Sequence, residues 1–209
     1  MKRLALHYFL FLFALILPAA INAGNATILV FGDSLSAAYG IEQNAGWVNL
    51  LQRRLQQTAP RYQVINASIS GDTTSGGLTR LSRALDKHQP EIVIVELGAN
   101  DGLRGLSLEE TQKNLAAIIE QTLSRKARVL LVGLRLPPNY GPDYTRKFHE
   151  IYSSLAKRYR VPLVPFLLEG VAGNPELMQQ DGLHPRAVAQ AKVLENVWPV
   201  LQPMLTERR

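Results

Sequence analysis

Three residues of this chain carry the groups that acyl transfer to a serine requires. Ser34 sits in Gly32-Asp33-Ser34-Leu35-Ser36, and far downstream Asp181-Gly182-Leu183-His184 places a carboxylate and an imidazole three residues apart. A serine hydroxyl alone is a weak nucleophile. A base must take its proton, and the base needs a partner that holds its tautomer. The expected roles are Ser34 as nucleophile, His184 as general base and Asp181 as its orienting carboxylate. Activity should then fall as acid protonates His184. The charge developing on the substrate carbonyl also needs fixed donors. Candidates are the backbone N–H groups of Ser34 and Gly71 and the side-chain amide of Asn100. Each piece has an ordinary reading. Gly-Asp-Ser is a common turn, Asp-x-x-His can cap a helix, and Gly98-Ala99-Asn100-Asp101 suits a turn because Gly and Asn tolerate positive φ. The weight lies in their occurring together, in this order.

The elements that must position these groups are legible as apolar runs. Ile28–Phe31, Tyr62–Asn66, Ile92–Leu97, Val129–Leu134 and Leu163–Phe166 are rich in Val, Ile and Leu with little alternation. That is the pattern of strands covered on both faces, hence of a parallel sheet. Between them lie helical stripes, among them Trp47, Leu50, Leu51 and Leu55, then Leu78, Leu81 and Leu85. Ser107-Leu108-Glu109-Glu110 reads as a capping box. Phe148, Ile151, Tyr152 and Leu155 form a further stripe. A last helix is expected from Pro185 toward Leu205, disturbed by Pro199 and Pro203. The prediction is a single three-layer α/β domain with a five-stranded parallel sheet over residues 24–209. Ligands in such sheets bind beyond the carboxyl ends of the strands. The unusual Gly and polar residues cluster there, so five loops should converge on one crevice. Asp33, Leu103, Arg104, Pro138 and Tyr140 lie on these loops and are the candidate substrate contacts.

The N-terminus has the layout of an export signal. Lys2 and Arg3 precede an apolar run from Leu4 to Leu17, then small residues up to Ala23. The run is short for a bilayer, so residues 1–23 read as a cleavable leader with the cut after Ala23; an uncleaved anchor is the competing reading. The expected location is periplasmic or secreted. The net charge of +6 drops to about +4 without Lys2 and Arg3. The remaining basic residues are scattered, without interleaved aromatics, which argues against a nucleic-acid partner. With no cysteine, disulfides, thiolate metal sites and a cysteine nucleophile are excluded. No Gly-x-Ser-x-Gly elbow, phosphate-binding loop, dinucleotide fingerprint or His-Glu-x-x-His occurs.

Gly32-Asp33-Ser34-Leu35-Ser36, Gly71, Gly98-x-Asn100-Asp101 and Asp181-x-x-His184 resemble, in order and spacing, the four blocks of the SGNH (GDSL) hydrolases. Asn66-Ala67-Ser68-Ile69-Ser70-Gly71-Asp72-Thr73 and Leu136-Pro137-Pro138-Asn139-Tyr140-Gly141 are closer still to a periplasmic esterase and thioesterase branch of that family. The resemblance implies a flavodoxin-like α/β/α fold, a Ser34–Asp181–His184 triad and an oxyanion hole of Ser34, Gly71 and Asn100. It also implies no metal or cofactor, and a loop, here Leu103 to Ser107, that moves when an acyl chain binds. Gly102 and Gly105 are its expected pivots. The expected substrates are small acyl esters and thioesters, with lysophospholipids as a further class, hydrolysed by a monomer. A carbohydrate O-deacetylase on the same fold and a non-catalytic binding module are the rival readings.

Overall fold

The computed structural model describes residues 25–206; the expected leader, residues 1–23, lies outside them. Among the described residues, five strands form one parallel sheet: β1 (Ala26–Gly32), β2 (Tyr62–Asn66), β3 (Ile92–Glu96), β4 (Arg128–Val132) and β5 (Leu163–Val164), in the order β2-β1-β3-β4-β5. The helices are α1 (Trp47–Thr58), α2 (Thr74–His88), α3 (Ala99–Leu103), α4 (Leu108–Ser124), α5 (Pro142–Tyr159) and α6 (Gln190–Thr206). β1 leads through α1 to one sheet edge, and every later connection runs the other way across the sheet. Right-handed crossovers therefore place α1 on one face and α2, α4 and α5 on the other. α6 packs beside α1, and α4 packs between α2 and α5. The fold is the expected three-layer α/β/α sandwich.

Burial explains why the strand runs do not alternate. Ile28, Leu29, Val30 and Phe31 of β1, and Ile92, Val93, Ile94 and Val95 of β3, are all fully buried. Helices cover both faces, so each side chain on these strands removes apolar surface from water. The N-cap half of the expected capping box forms: the Ser107 hydroxyl accepts the Glu110 N–H at the start of α4, while the Glu110 carboxylate pairs with Lys113.

Several element ends differ from expectation, among them β3, which stops at Glu96 short of Leu97, and β4, which stops at Val132 short of Leu134. β5 stops at Val164 because Pro165 has no N–H to continue a ladder; the chain instead continues through Leu167 N–H to the Gly133 carbonyl. The last helix begins at Gln190, after a short 3-10 turn at Ala187–Ala189, and not at Pro185. The intervening residues are held extended: Pro185 bridges Met178, and Arg186 N–H donates to the Leu177 carbonyl at 2.7 Å. Pro199 and Pro203 lie inside α6 without ending it. Gly102 lies inside α3, where close packing requires glycine. A Cβ there would meet Leu136 at 2.7 Å and Phe148 at 2.9 Å. Gly105, with φ +65° and open space around it, keeps its expected freedom.

Candidate active site

The sheet order reverses at β1. The strands that diverge there leave a crevice at their carboxyl ends, and ligands bind in it. Ser34 lies in the turn directly after β1, and Asn100 lies in the first turn of α3, after the neighbouring strand β3. Gly98, with φ +119°, makes the reversal between β3 and α3. A Cβ on it would stand 2.5 Å from the Tyr152 hydroxyl, so backbone conformation and space both demand glycine.

His184 arrives from the far end of the chain. The segment after Asp181 is pinned: Gln179 N–H donates to the His184 carbonyl at 2.7 Å, and the Gln179 amide donates to the carbonyls of Tyr39 and Pro185. His184 Nε2 stands 2.8 Å from Ser34 Oγ, and Nδ1 stands 2.7 Å from Asp181 Oδ2. The other Asp181 oxygen accepts the backbone N–H groups of Leu183 and His184. Burial pushes the Asp181 carboxyl up, but hydrogen bonds from the His184 ring and these two N–H groups outweigh it. The net effect holds Asp181 below the usual carboxylate range. An ionised carboxylate can only accept. Nδ1 therefore carries the hydrogen, and Nε2 is left bare to accept the Ser34 hydroxyl proton.

Asn100 is anchored from two sides. Its Nδ2 donates to the Asp72 carbonyl at 2.9 Å and to Asp33 Oδ2 at 3.1 Å. Its neighbour Asp101 is buried and accepts both the backbone N–H and the hydroxyl of Thr74, which ties α3 to α2. Gly71 sits exposed with φ +80°. A cleft of about 150 Å³ opens beside Ser34, Asn100 and His184. Its walls are mostly apolar, with Leu35, Leu103, Leu134, Leu136, Pro137, Phe166, Leu168 and Leu183, and Arg135 is the charged residue among them. A hydroxyl paired to an oriented imidazole, at the mouth of an apolar cleft, is equipped to attack the carbonyl of an acyl chain lying in that cleft.

Of the expected substrate contacts, Leu103 lines the cleft. Asp33 does not contact it: its side chain is 0 % exposed and lies beneath the site. The turn that presents Ser34 folds Asp33 inward, where Oδ1 accepts Leu35 N–H at 3.1 Å. Arg104 stands outside the cleft lining and donates to the Gly71 carbonyl at 2.9 Å. Tyr140 is also outside the lining, its hydroxyl on the Leu103 carbonyl, and Pro137 lines the cleft where Pro138 was expected.

Two neighbours of the site escaped sequence reasoning. Tyr39 packs against the His184 ring at 4.6 Å between centroids. Nothing in the sequence around Tyr39 signals this, because the contact joins residues far apart in the chain. Glu96, fully buried, accepts the Ser36 hydroxyl at 2.7 Å and Asp33 N–H at 3.3 Å. A signal did exist for Glu96: a carboxylate closing the otherwise apolar run Ile92–Val95 is costly unless it has a dedicated partner.

Known proteins share this arrangement of sequence and fold. A family model described as GDSL-like Lipase/Acylhydrolase matches residues 30–192. The chain is 50% identical over 184 residues to "Esterase TesA" of Pseudomonas aeruginosa, covering 88% of this chain and 92% of that protein. It is 44% identical over 195 residues to "Thioesterase 1/protease 1/lysophospholipase L1" of Escherichia coli, covering 93% and 92%. Among solved structures, that of the esterase EstA from Pseudoalteromonas sp. inhibited by monoethylphosphonate superposes with a TM-score of 0.82. It is 39% identical and covers 87% of this chain and 99% of that one. A match of this extent, over a chain that brings Ser34 and His184 together beside an acyl-sized cleft, shows that the protein belongs to the GDSL-like lipase/acylhydrolase family and is a hydrolase of acyl esters.

Proposed function

We propose that the protein is an exported esterase and thioesterase working through an acyl-Ser34 intermediate. The observation that carries this reading is the chain of contacts Ser34 Oγ–His184 Nε2 at 2.8 Å and His184 Nδ1–Asp181 Oδ2 at 2.7 Å, facing the apolar cleft. Ser34 Oγ bonds to the acyl carbon while its proton passes to His184 Nε2. The carbonyl oxygen becomes an oxyanion, met by the N–H groups of Ser34 and Gly71 and by the Asn100 N–H that turns from the Asp72 carbonyl to the substrate while the other stays on Asp33. Collapse expels the alcohol or thiol, which takes the proton from His184. A water then attacks the acyl carbon, giving its proton to His184, and the second collapse returns the proton to Ser34. Asp181 stabilises the imidazolium in both halves.

The leucine-lined cleft favours an alkyl acyl chain over a sugar, which supports esters, thioesters and lysophospholipids ahead of a carbohydrate deacetylase. The relatives named as esterase, thioesterase and lysophospholipase agree with that range. All three working residues come from one chain, so a monomer suffices. Export rests on Lys2, Arg3 and the apolar run Leu4 to Leu17. Among the described residues, no helix is long and apolar enough to cross a membrane.

The test is hydrolysis of p-nitrophenyl esters of increasing acyl length by the full chain beside Ser34→Ala, with a fluorophosphonate label as second readout. Labelling of Ser34, activity on medium-length chains and loss of both in Ser34→Ala are expected. Activity confined to acetyl esters would point to the deacetylase, and an unlabelled Ser34 would overturn the nucleophile.

A further inference from the structure

We propose that Asp33 and Glu96 form a buried carboxyl pair that holds one proton above neutral pH, carried by Glu96, and that the ionised Asp33 this leaves is a positioning residue for Asn100. The proposal rests on the reading of Ser34 as nucleophile and Asn100 as oxyanion donor, and gives that site a second tier of machinery.

The two carboxyls meet because β1 and β3 are neighbours, with Gly32 directly opposite Glu96 in the register. Both side chains are 0 % exposed. Every Asp33 oxygen is spoken for: Oδ1 accepts Leu35 N–H at 3.1 Å and Oδ2 accepts the Asn100 amide at 3.1 Å. Glu96 is different. Its Oε2 accepts Ser36 Oγ–H and Asp33 N–H, but Oε1 is buried with no donor directed at it. A bare carboxylate oxygen in that position costs the desolvation of a charged group. A proton on Glu96 removes the cost, and Glu96 stands close enough to Asp33 to accept its backbone N–H at 3.3 Å. Asp33 then remains the acceptor that both Leu35 and Asn100 require.

The surrounding charges leave no other way to neutralise the pair. Asp72 and Asp101 both repel a charge on Asp33. The Tyr152 phenol, from α5, is buried and donates to the Leu97 carbonyl. The Arg80 guanidinium, from α2, is taken by Asp72 and by the carbonyls of Ala67 and Gly32. Two adjacent carboxyls with no cation between them cannot both ionise. Burial pushes Asp33 up to about 7, and burial followed by the Asp33 charge pushes Glu96 well above its ordinary value. The pair also accounts for Gly32, whose φ is unexceptional. A Cβ there would stand 2.6 Å from Glu96 Oε2 and 3.0 Å from Ser36 Oγ.

The experiment pairs infrared spectroscopy with kinetics on the full chain. At about pH 8 the wild type should show the C=O stretch of a protonated carboxylic acid, and Glu96→Gln should lack it. Glu96→Gln keeps a neutral group of the same shape beside Asp33. Asp33→Asn turns the acceptor of the Asn100 amide into a second amide and should lower kcat by about 100-fold with little change in KM. Glu96→Gln should stay at least about tenfold more active than Asp33→Asn. A wild type without the band, a band that persists in Glu96→Gln, or equal losses in the two variants would overturn the pair; the first needs no variant to fold. Ser34→Ala should keep the band. An active Ser34→Ala that keeps it would sink the nucleophile assignment while leaving the carboxyl pair standing.

Discussion

Tyr39 lies against His184 with ring centroids 4.6 Å apart and planes tilted by 42°. The tyrosine ring is half exposed and covers one side of the imidazole that Ser34 and Asp181 hold edgewise. An aromatic pair of this kind is worth about 1 kcal/mol beyond buried area. Tyr39→Ala should therefore lower kcat roughly five- to tenfold by loosening His184. Tyr39→Phe, which keeps the ring, should retain wild-type kcat. Steady-state kinetics on one p-nitrophenyl ester checks both, and equal losses would mean that the hydroxyl matters and the stacking does not.

Asp181→Asn should be far more damaging than its partial exposure suggests. The amide can donate to Nδ1 and so stabilise the tautomer in which Nε2 carries the hydrogen and cannot accept the Ser34 proton. The expected loss is about 1000- to 10,000-fold in kcat, with KM and melting temperature nearly unchanged. A loss below tenfold would show that another group orients His184.

Leu103 stands where the end of α3 meets the cleft. Leu103→Trp adds bulk to a space of about 150 Å³. Activity on long acyl esters should fall at least about tenfold while acetate hydrolysis changes by less than about threefold, because only the longer chain must share that volume. Parallel losses across all chain lengths would place the acyl group elsewhere.

The buried carboxyls predict how stability changes with pH. Asp33 titrates near about 7 and Glu96 well above its ordinary value. In the unfolded chain both return to about 4. Between these limits the folded protein binds more protons than the unfolded chain, so stability falls as pH rises. The contribution is complete below about pH 4 and, for Asp33, is lost as pH passes through about 7, at up to about 1.4 kcal/mol per pH unit for each proton. Melting temperature should decline from about pH 5 to 8 in the wild type and decline less in Glu96→Gln. Equal slopes would assign the dependence to other groups.

The sheet was legible because its strands have nowhere polar to face. Ile28–Phe31 and Ile92–Val95 carry unbroken apolar runs, and the structure buries every one of these side chains. Ser34 and Asn100 were legible for a related reason, polar types directly after such runs, and Asp181 and His184 by their types and spacing. Element ends were less so. The extended Pro185–Arg186 segment delays α6 through Met178 and Leu177, partners 7 and 9 residues earlier that the helical pattern after Pro185 does not display.

Side-chain direction was decided only by the tertiary structure. Asp33 and Ser34 are adjacent in sequence, yet the turn after β1 sends Ser34 to the cleft and Asp33 beneath it. There Asp33 meets Glu96 across the register of β1 and β3. The apolar wall likewise gathers Leu103, Leu136, Phe166 and Leu168 from separate loops. Residue type and chain order determined which groups are the candidates for catalysis, because a hydroxyl, an imidazole and a carboxylate are recognisable wherever they lie. Which face each residue shows, and which distant groups share its proton, depended on strand order and register, because burial and hydrogen bonding are properties of neighbours in space.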